Sequence, residues 1–213
     1  MSFWDGLPIP WQATLTEAWS AYCHGSLPIG AVIMSGDQII ARGRNRIGER
    51  HNIVGMISGN SLAHAEMNAL MQLPGDLEGS DAILYSTMEP CPMCAGAIRV
   101  AHVPTTIYAA RDAWGGSSQM FQLHPYMTRD NIRVLPAGIK TLEEISVVLL
   151  LQSYLEIDAG VSQLAKFETV LPNAVRLARA AFEDRLISGL RQAEASAETI
   201  VDELAARLKL KNS

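Results

Sequence analysis

Hydrophobic and polar positions along the first part of the chain alternate in a way that predicts both helices and strands. Apolar residues recur at helical spacing over residues 14–23, which we expect to form an amphipathic helix. Two short apolar runs follow at 30–34 and 38–43. The Ser35-Gly36-Asp37 segment between them is typical of a hairpin turn, because glycine readily adopts positive φ.

The later pattern predicts an α/β layer architecture. Helix-length segments separate the later strands, which favours a partly parallel sheet. The predicted elements are a polar loop over 44–62, a helix over 62–73, a strand over 82–86, a helix from Pro90 to 101, strands over 105–109 and 132–135, and a helix over 142–155.

The pattern changes after about residue 158. Residues 159–213 contain no Trp, Tyr or strand-like run, are rich in Ala, Leu, Glu and Arg, and are divided by Pro172 into two helical stretches. Each stretch has an apolar face that must be buried. We therefore expect a domain over 1–157 and a helical extension over 158–213 that forms a lid or contributes to a dimer contact.

Composition excludes several classes of protein. With 213 residues, 48% of them hydrophobic, and a net charge of −5, the chain can bury a core and is not disordered. Three cysteines are too few for a disulfide scaffold. No apolar run approaches the ~20 residues of a membrane span, and residues 1–11 lack the features of a signal peptide. We therefore expect a cytoplasmic protein that does not contact membranes.

Two short motifs carry candidate chemistry: His64-Ala65-Glu66 and Pro90-Cys91-Pro92-Met93-Cys94. Cysteines at i and i+3 of a helix lie about 60° apart around its axis, so both thiolates can bind one ion. A histidine nitrogen and two thiolates suit Zn²⁺ and leave its fourth position for water. The pattern predicts a zinc site formed by His64, Cys91 and Cys94.

Glu66 is predicted to transfer protons during the reaction rather than to bind the metal. It is roughly 200° from His64 around a regular helix, so it should not duplicate the histidine as a ligand. Zinc with an open position lowers the pKa of bound water to ~7, and a nearby carboxylate can transfer protons to a leaving nitrogen. The zinc-bound water and the Glu66 carboxylate together predict hydrolytic removal of an amine from a conjugated ring carbon.

The individual motifs also allow other interpretations. A Cys-x-x-Cys after a strand is compatible with a thioredoxin-like dithiol, which would leave His64 and Glu66 unused. A closed structural zinc site, with Glu66 or another residue as the fourth ligand, is a second alternative. The combination of both motifs favours the open catalytic site over either alternative.

The two motifs match the H-x-E and P-C-x-x-C signature of zinc deaminases, and the chain resembles the cytidine deaminase-like superfamily. It is most similar to the branch that contains guanine deaminases and tRNA adenosine deaminases. The resemblance spans about residues 10–157 and is carried by residues 28–32, 43–46, 64–70, 88–98 and 110–112. It implies a three-layer αβα sandwich around a five-stranded mixed sheet, usually assembled as a homodimer.

The resemblance also implies roles for single residues. His64, Cys91 and Cys94 match the zinc ligands of the family, and Glu66 matches its proton shuttle. Residues expected to contact the substrate are Asn45, the backbone of Ala65 and the apolar side chain of Leu27. Trp114, in a glycine-containing turn, would either stack on a planar base or pack on the surface.

The identity of the substrate is inferred from charge. Members that edit tRNA carry basic residues on the last helix of the core, whereas residues 142–158 contain no Lys or Arg and four acidic residues. The basic residues near the end of the extension, Arg207, Lys209 and Lys211, are typical of a helix C-terminus. We therefore expect a small nucleobase, nucleoside or related heterocycle as substrate. The alternatives are a tRNA-specific adenosine deaminase and a non-catalytic binding module stabilised by zinc.

Overall fold

The structure is a computed structural model that describes residues 1–50, 53–75, 77, 79–157 and 160–210. Five strands form one sheet: β1 (Gly30–Ser35), β2 (Gln38–Arg44), β3 (Ile83–Met88), β4 (Thr105–Ala110) and β5 (Arg133–Pro136). The helices of the described residues are α1 (Ile9–Cys23), α2 (Ala65–Leu70), α3 (Pro92–Val100), α4 (Met120–Leu123), α5 (Lys140–Glu156), α6 (Gly160–Glu168), α7 (Pro172–Glu183), α8 (Leu186–Gln192) and α9 (Ala197–Leu210).

The sheet is mixed and lies between two helical layers. Its strand order is β2-β1-β3-β4-β5, with β1 antiparallel to both of its neighbours and β3, β4 and β5 parallel. Helices α1 and α5 pack on one face of the sheet, and α2 and α3 lie with a second hydrophobic cluster on the other. The expected three-layer αβα sandwich with a five-stranded mixed sheet is confirmed.

Differences from the predicted boundaries are largest next to the candidate motifs. Helix α2 starts at Ala65 rather than at 62, because His64 is extended with ψ 156°. Helix α3 starts at Pro92 rather than at Pro90, because Cys91 is extended with ψ 172°. A motif residue immediately precedes each helix, so its side chain is positioned by the helix without belonging to it.

The C-terminal extension forms four helices rather than two. Arg185, with φ 53°, ends the continuous apolar pattern and separates α7 from α8. Helical spacing predicts one apolar face before Pro172 and another after it. Most of their residues are buried or partly buried in the core, whereas two, Val170 and Phe182, are exposed. The packed residues are Leu164, Phe167, Leu171, Leu177, Ala181, Leu186 and Leu190. The side chain of Val161, the basic residue Lys211 and the proposed domain boundary at residue 158 lie outside the described residues.

Helix α5 is enclosed by the extension. Helices α6, α7 and α9 pack against it, and 11 of its 17 residues are buried. The charge of α5 was the reason to expect a small substrate, on the assumption that this helix presents a surface to RNA. Other helices cover much of α5 and Glu144 is buried, whereas Glu156 is exposed, so only part of the charge of this helix can face a nucleic acid. Among the described helices, none is long and apolar enough to cross a membrane.

Gly43 on β2 sets the position of α2. A Cβ atom at this position would overlap the carbonyl oxygen of Ala65 and the backbone of Ala69, neither of which can move independently of the helix. The absence of a side chain therefore allows the first turn of α2 to lie directly on the sheet.

We expect Gly43→Ala to destabilise the protein by about 1–3 kcal/mol, because the added methyl group pushes α2 away from β2. The matched control is Gly189→Ala in α8, where a Cβ atom meets no neighbour and helix propensity favours alanine. Urea denaturation of both variants measures the effect. Equal free energies of unfolding for the Gly43→Ala and wild-type proteins would contradict this role of Gly43.

Candidate active site

Three potential metal ligands converge where α2 and α3 begin. The ligand atoms of His64, Cys91 and Cys94 all lie within 4.8 Å of one another. His64 Nδ1 is 3.6 Å from Cys91 Sγ and 3.5 Å from Cys94 Sγ. Tetrahedral zinc with ordinary bond lengths separates a ligating nitrogen and sulfur by about 3.6 Å. The donor set and its spacing therefore fit Zn²⁺.

The two ligand thiols differ in acidity, because the hydrogen bond with Cys91 and burial raise the pKa of Cys94. Hydrogen bonds from Cys94 and His64 lower the pKa of the Cys91 thiol well below its usual value. Thiolates are the form of cysteine that binds metals. Of the three cysteines, Cys23 is exposed on α1, far along the chain from this cluster.

Glu66 lies beside the ligand cluster and is almost completely buried. Its Oε1 accepts a hydrogen bond from the Ser86 hydroxyl at 3.1 Å, and its Oε2 lies 3.4 Å from Cys94 Sγ. Burial raises the pKa of the Glu66 carboxyl. These contacts hold the carboxylate in one orientation next to the metal position, where it can exchange a proton with a reacting group.

A small cavity of about 50 Å³ adjoins these residues. Asn45 and Ala65, which the family resemblance implies as substrate contacts, line it. The Asn45 side chain is buried; its Oδ1 accepts a hydrogen bond from the Ile47 N–H at 3.1 Å, while its Nδ2 has no partner among the described residues. An unpaired buried donor at the edge of a cavity is suited to a ligand acceptor.

Two other predicted contact residues lie elsewhere. Leu27 lines a separate cavity, between α1, α5 and α8, rather than the cavity next to His64. Trp114 is 65% exposed, and the Lys166 ammonium group of α6 lies over its ring. One face of this ring is thus covered by the C-terminal extension, and Trp114 does not line the cavity.

Sequence reasoning assigned no role to two acidic residues of the site, Glu89 and Asp112. Both line the cavity. The buried Glu89 carboxylate accepts hydrogen bonds from the backbone N–H groups of Ser118, at 3.0 Å, and Asp112, at 3.3 Å. Glu89 thereby holds the loop after β4 against the metal ligands. Its position directly before Pro90-Cys91, at the end of a buried strand, is the feature of the sequence that could have indicated a role in the site.

Comparison with known proteins identifies a family. Residues 11–110 match the model of the cytidine and deoxycytidylate deaminase zinc-binding region. A tRNA-specific adenosine deaminase from Streptococcus pyogenes is 35% identical over 116 residues, which are 53% of this chain and 68% of that protein. The corresponding protein from Bacillus subtilis is 38% identical over 111 residues, 50% of this chain and 63% of its own length.

A solved structure of a deaminase is also similar to this chain. A protein from a structural study of A-to-I editing by tRNA:A34 deaminases is 31% identical, with a TM-score of 0.52. The match covers 65% of this chain and 96% of that chain. Almost all of that chain therefore corresponds to part of this one.

We expect the purified protein to contain one zinc ion per chain, and Cys91→Ser and Cys94→Ser to lose it, because oxygen is a poorer ligand for this metal site. Cys23→Ser is the matched control and should retain zinc. Elemental analysis under reducing conditions measures the metal content. Full zinc occupancy in both ligand variants would contradict the assignment.

The matched region contains all three ligands and Glu66, and the spacing of the ligand atoms fits zinc. A relative of which this chain covers more than two thirds is 35% identical. The chain belongs to the cytidine and deoxycytidylate deaminase zinc-binding family, and it is a zinc-dependent deaminase with His64, Cys91 and Cys94 as its metal site.

Proposed function

We propose that this protein deaminates an adenosine within a tRNA, converting it to inosine and releasing ammonia. The observation that carries the substrate assignment is the similarity to tRNA-specific adenosine deaminases, at 35% identity over 116 residues and 38% identity over 111 residues. These relatives favour the alternative considered in the sequence analysis over a small nucleobase or nucleoside.

In the proposed reaction, water adds to the ring carbon that bears the amine, the carbon–nitrogen bond breaks, and ammonia leaves. Zinc chemistry at this site supplies a hydroxide nucleophile at neutral pH. Glu66 accepts one proton from the attacking water on Oε2 and donates it to the ring nitrogen. It then accepts the proton of the hydroxyl group added to the ring carbon and donates it to the departing amine. The Ser86 hydrogen bond to Oε1 keeps Oε2 directed towards the metal ligands.

Asn45 is proposed to orient the base. Its unpaired Nδ2 would donate to an acceptor nitrogen on the purine edge, which would satisfy a buried group that otherwise lacks a partner. Ala65 belongs to the first turn of α2, where backbone N–H groups have no partner within the helix. Its N–H is proposed to bind the opposite edge of the ring.

A second candidate is deamination of a free nucleobase or nucleoside. Its support is electrostatic, because the described residues that line the catalytic cavity include three acidic side chains and no basic one. Arg44 and Arg46 flank Asn45, but both pair with Glu49, at 3.0 Å and 2.6 Å. Arg111 is exposed and precedes the cavity residue Asp112 in the chain, and it is proposed as a phosphate contact if the substrate is a tRNA.

The test compares a tRNA stem-loop with one adenosine in its loop, the same stem-loop with guanosine at that position, and free adenosine, adenine, guanine and cytidine. We expect inosine only from the adenosine stem-loop, at a rate that falls as salt rises because phosphate contacts are screened. Mass spectrometry of the nucleosides and an ammonia assay measure turnover. Glu66→Gln should keep its zinc and lose activity by a factor of about 10² or more.

The other outcomes distinguish the alternatives. Turnover of free nucleosides or bases without turnover of the stem-loop would overturn the tRNA assignment in favour of the second candidate. A zinc-loaded wild-type protein that deaminates none of these substrates would support the non-catalytic binding module.

We also propose that the protein forms a homodimer through the layer that contains α2, α3 and α4. Large apolar side chains are exposed there: Val100 of α3 is 62% exposed and Leu123 of α4 is 76% exposed. These two helices contact each other, and both exposed groups are proposed to contribute to the interface. Apolar surface of this kind is typical of protein interfaces.

We expect Val100→Asp to convert the dimer to a monomer, because a buried unpaired charge disfavours association. Val170→Asp, on the exposed side of the C-terminal extension, is the control and should remain dimeric. Light scattering coupled to gel filtration measures the mass. A wild-type monomer, or a dimeric Val100→Asp variant, would contradict this interface.

A further inference from the structure

Asn68 of α2 is a buried polar residue that takes no part in the reaction described above. Its side chain is 0% exposed and follows Glu66 by two residues in the chain. A buried amide group costs free energy unless it forms hydrogen bonds. In the described part of the chain, this amide bonds to the backbone of Arg44, at the end of β2, and of Ile57, in the loop between β2 and α2. Asn68 therefore connects β2, the loop and α2.

Three hydrogen bonds join the Asn68 side chain to these segments. Its Oδ1 accepts from the Ile57 N–H at 2.7 Å. Its Nδ2 donates to the Ile57 carbonyl at 3.0 Å and to the Arg44 carbonyl at 3.1 Å, so both N–H groups of the amide are used. Because both backbone groups of Ile57 pair with one side chain, this part of the loop has a defined position relative to α2.

The contact with Arg44 lies directly before Asn45, the proposed substrate contact. One peptide group joins Arg44 to Asn45. Its carbonyl accepts the hydrogen bond from Asn68, and its N–H donates to the Ile29 carbonyl at 2.9 Å. This peptide group is therefore held on both sides, by a strand residue's neighbour and by α2.

The loop also orients the Asn45 side chain. The Gly59 N–H donates to the Arg46 carbonyl at 3.0 Å, and the N–H of the same peptide group, which belongs to Ile47, donates to Asn45 Oδ1 at 3.1 Å. Gly59 lies two residues after the loop residue that Asn68 binds. A continuous series of hydrogen bonds and short chain segments thus leads from Asn68 to the Asn45 amide.

We propose that Asn68 is a positioning residue for substrate recognition and that it acts through Asn45. It holds the peptide group before Asn45 directly, and it holds the loop that orients Asn45 Oδ1. The unpaired Asn45 Nδ2 then keeps one orientation at the edge of the catalytic cavity, which Asn68 itself does not line. This role rests on the proposed function, in which Asn45 binds the base.

The test is a double-mutant cycle with the adenosine stem-loop as substrate, using Asn68→Ala, Asn45→Ala and the double variant. We expect Asn68→Ala to lower kcat/KM about tenfold or more, chiefly by raising KM, because a donor without a fixed orientation weakens binding of the substrate and the transition state alike. In the Asn45→Ala background, the same change should lower kcat/KM by about threefold or less, since the group that it positions is absent. A residue that only stabilises the fold would have the same effect in both backgrounds.

Gln72→Ala is the matched control. Gln72 follows α2, and its Nε2 donates to the carbonyl of Arg42, which also belongs to β2. It forms the same type of bond to the same strand as Asn68 does, but two residues further from Asn45. The control should keep the wild-type kcat/KM.

Zinc content and thermal melting check the metal site and the fold of each variant. Asn68→Asp keeps the Oδ1 acceptor for Ile57 and loses both donors. It replaces Asn68→Ala in the cycle if that variant is unfolded, with the same expected results.

Equal effects of Asn68→Ala in the two backgrounds would overturn the positioning role while leaving the deaminase assignment intact. A wild-type kcat/KM in Asn45→Ala would overturn it together with the proposed substrate contact. If only a free base or nucleoside is deaminated, the tRNA assignment fails, and the cycle is measured with that substrate.

If no substrate is deaminated, the proposed function fails, and hydrogen–deuterium exchange of the zinc-loaded proteins tests the positioning role separately. Faster exchange of the backbone of residues 44–47 in Asn68→Ala than in Gln72→Ala would support it. Equal exchange in the two variants would overturn it.

Discussion

The site depends on the meeting of two helix starts at the metal ligands. His64 and Cys91 are extended residues that immediately precede α2 and α3, and Cys94 lies in the first turn of α3. The sheet determines where both helices begin, because β3 leads directly into the Cys91 motif and β2 packs on α2 at Gly43. Zinc ligation therefore joins the sheet and both helices of one layer. It also places Glu66, one residue into α2, against the reacting position.

Much of this arrangement could be predicted from the chain. Both ligand motifs and the order of strands and helices in the core follow from short local patterns. The position of Asn45 at the cavity was implied only by the family resemblance. Local patterns do not predict the helix boundaries at the site, since α2 and α3 begin two or three residues later than the sequence pattern predicts. The reason is functional, because a ligand in extended conformation can turn its side chain towards an ion in a way that a mid-helix residue cannot.

The packing of the C-terminal extension on the core could not be predicted from the sequence patterns. Most of α5 is buried, because the C-terminal extension folds back over this helix. The same packing places Lys166 over Trp114 and Arg191 beside Glu156. None of these pairs is close in sequence, and each depends on how α6 and α8 of the extension pack on the core.

Hydrolytic deamination is the central claim, and isotope incorporation tests it most directly. The zinc-loaded protein is incubated with the adenosine stem-loop in water enriched in heavy oxygen, and the product nucleoside is analysed by mass spectrometry. One heavy oxygen atom should appear in each inosine, together with one ammonia released, and neither should form with Glu66→Gln. A zinc-loaded, folded wild-type protein that yields no labelled product from this RNA or from any free base or nucleoside would contradict the claim.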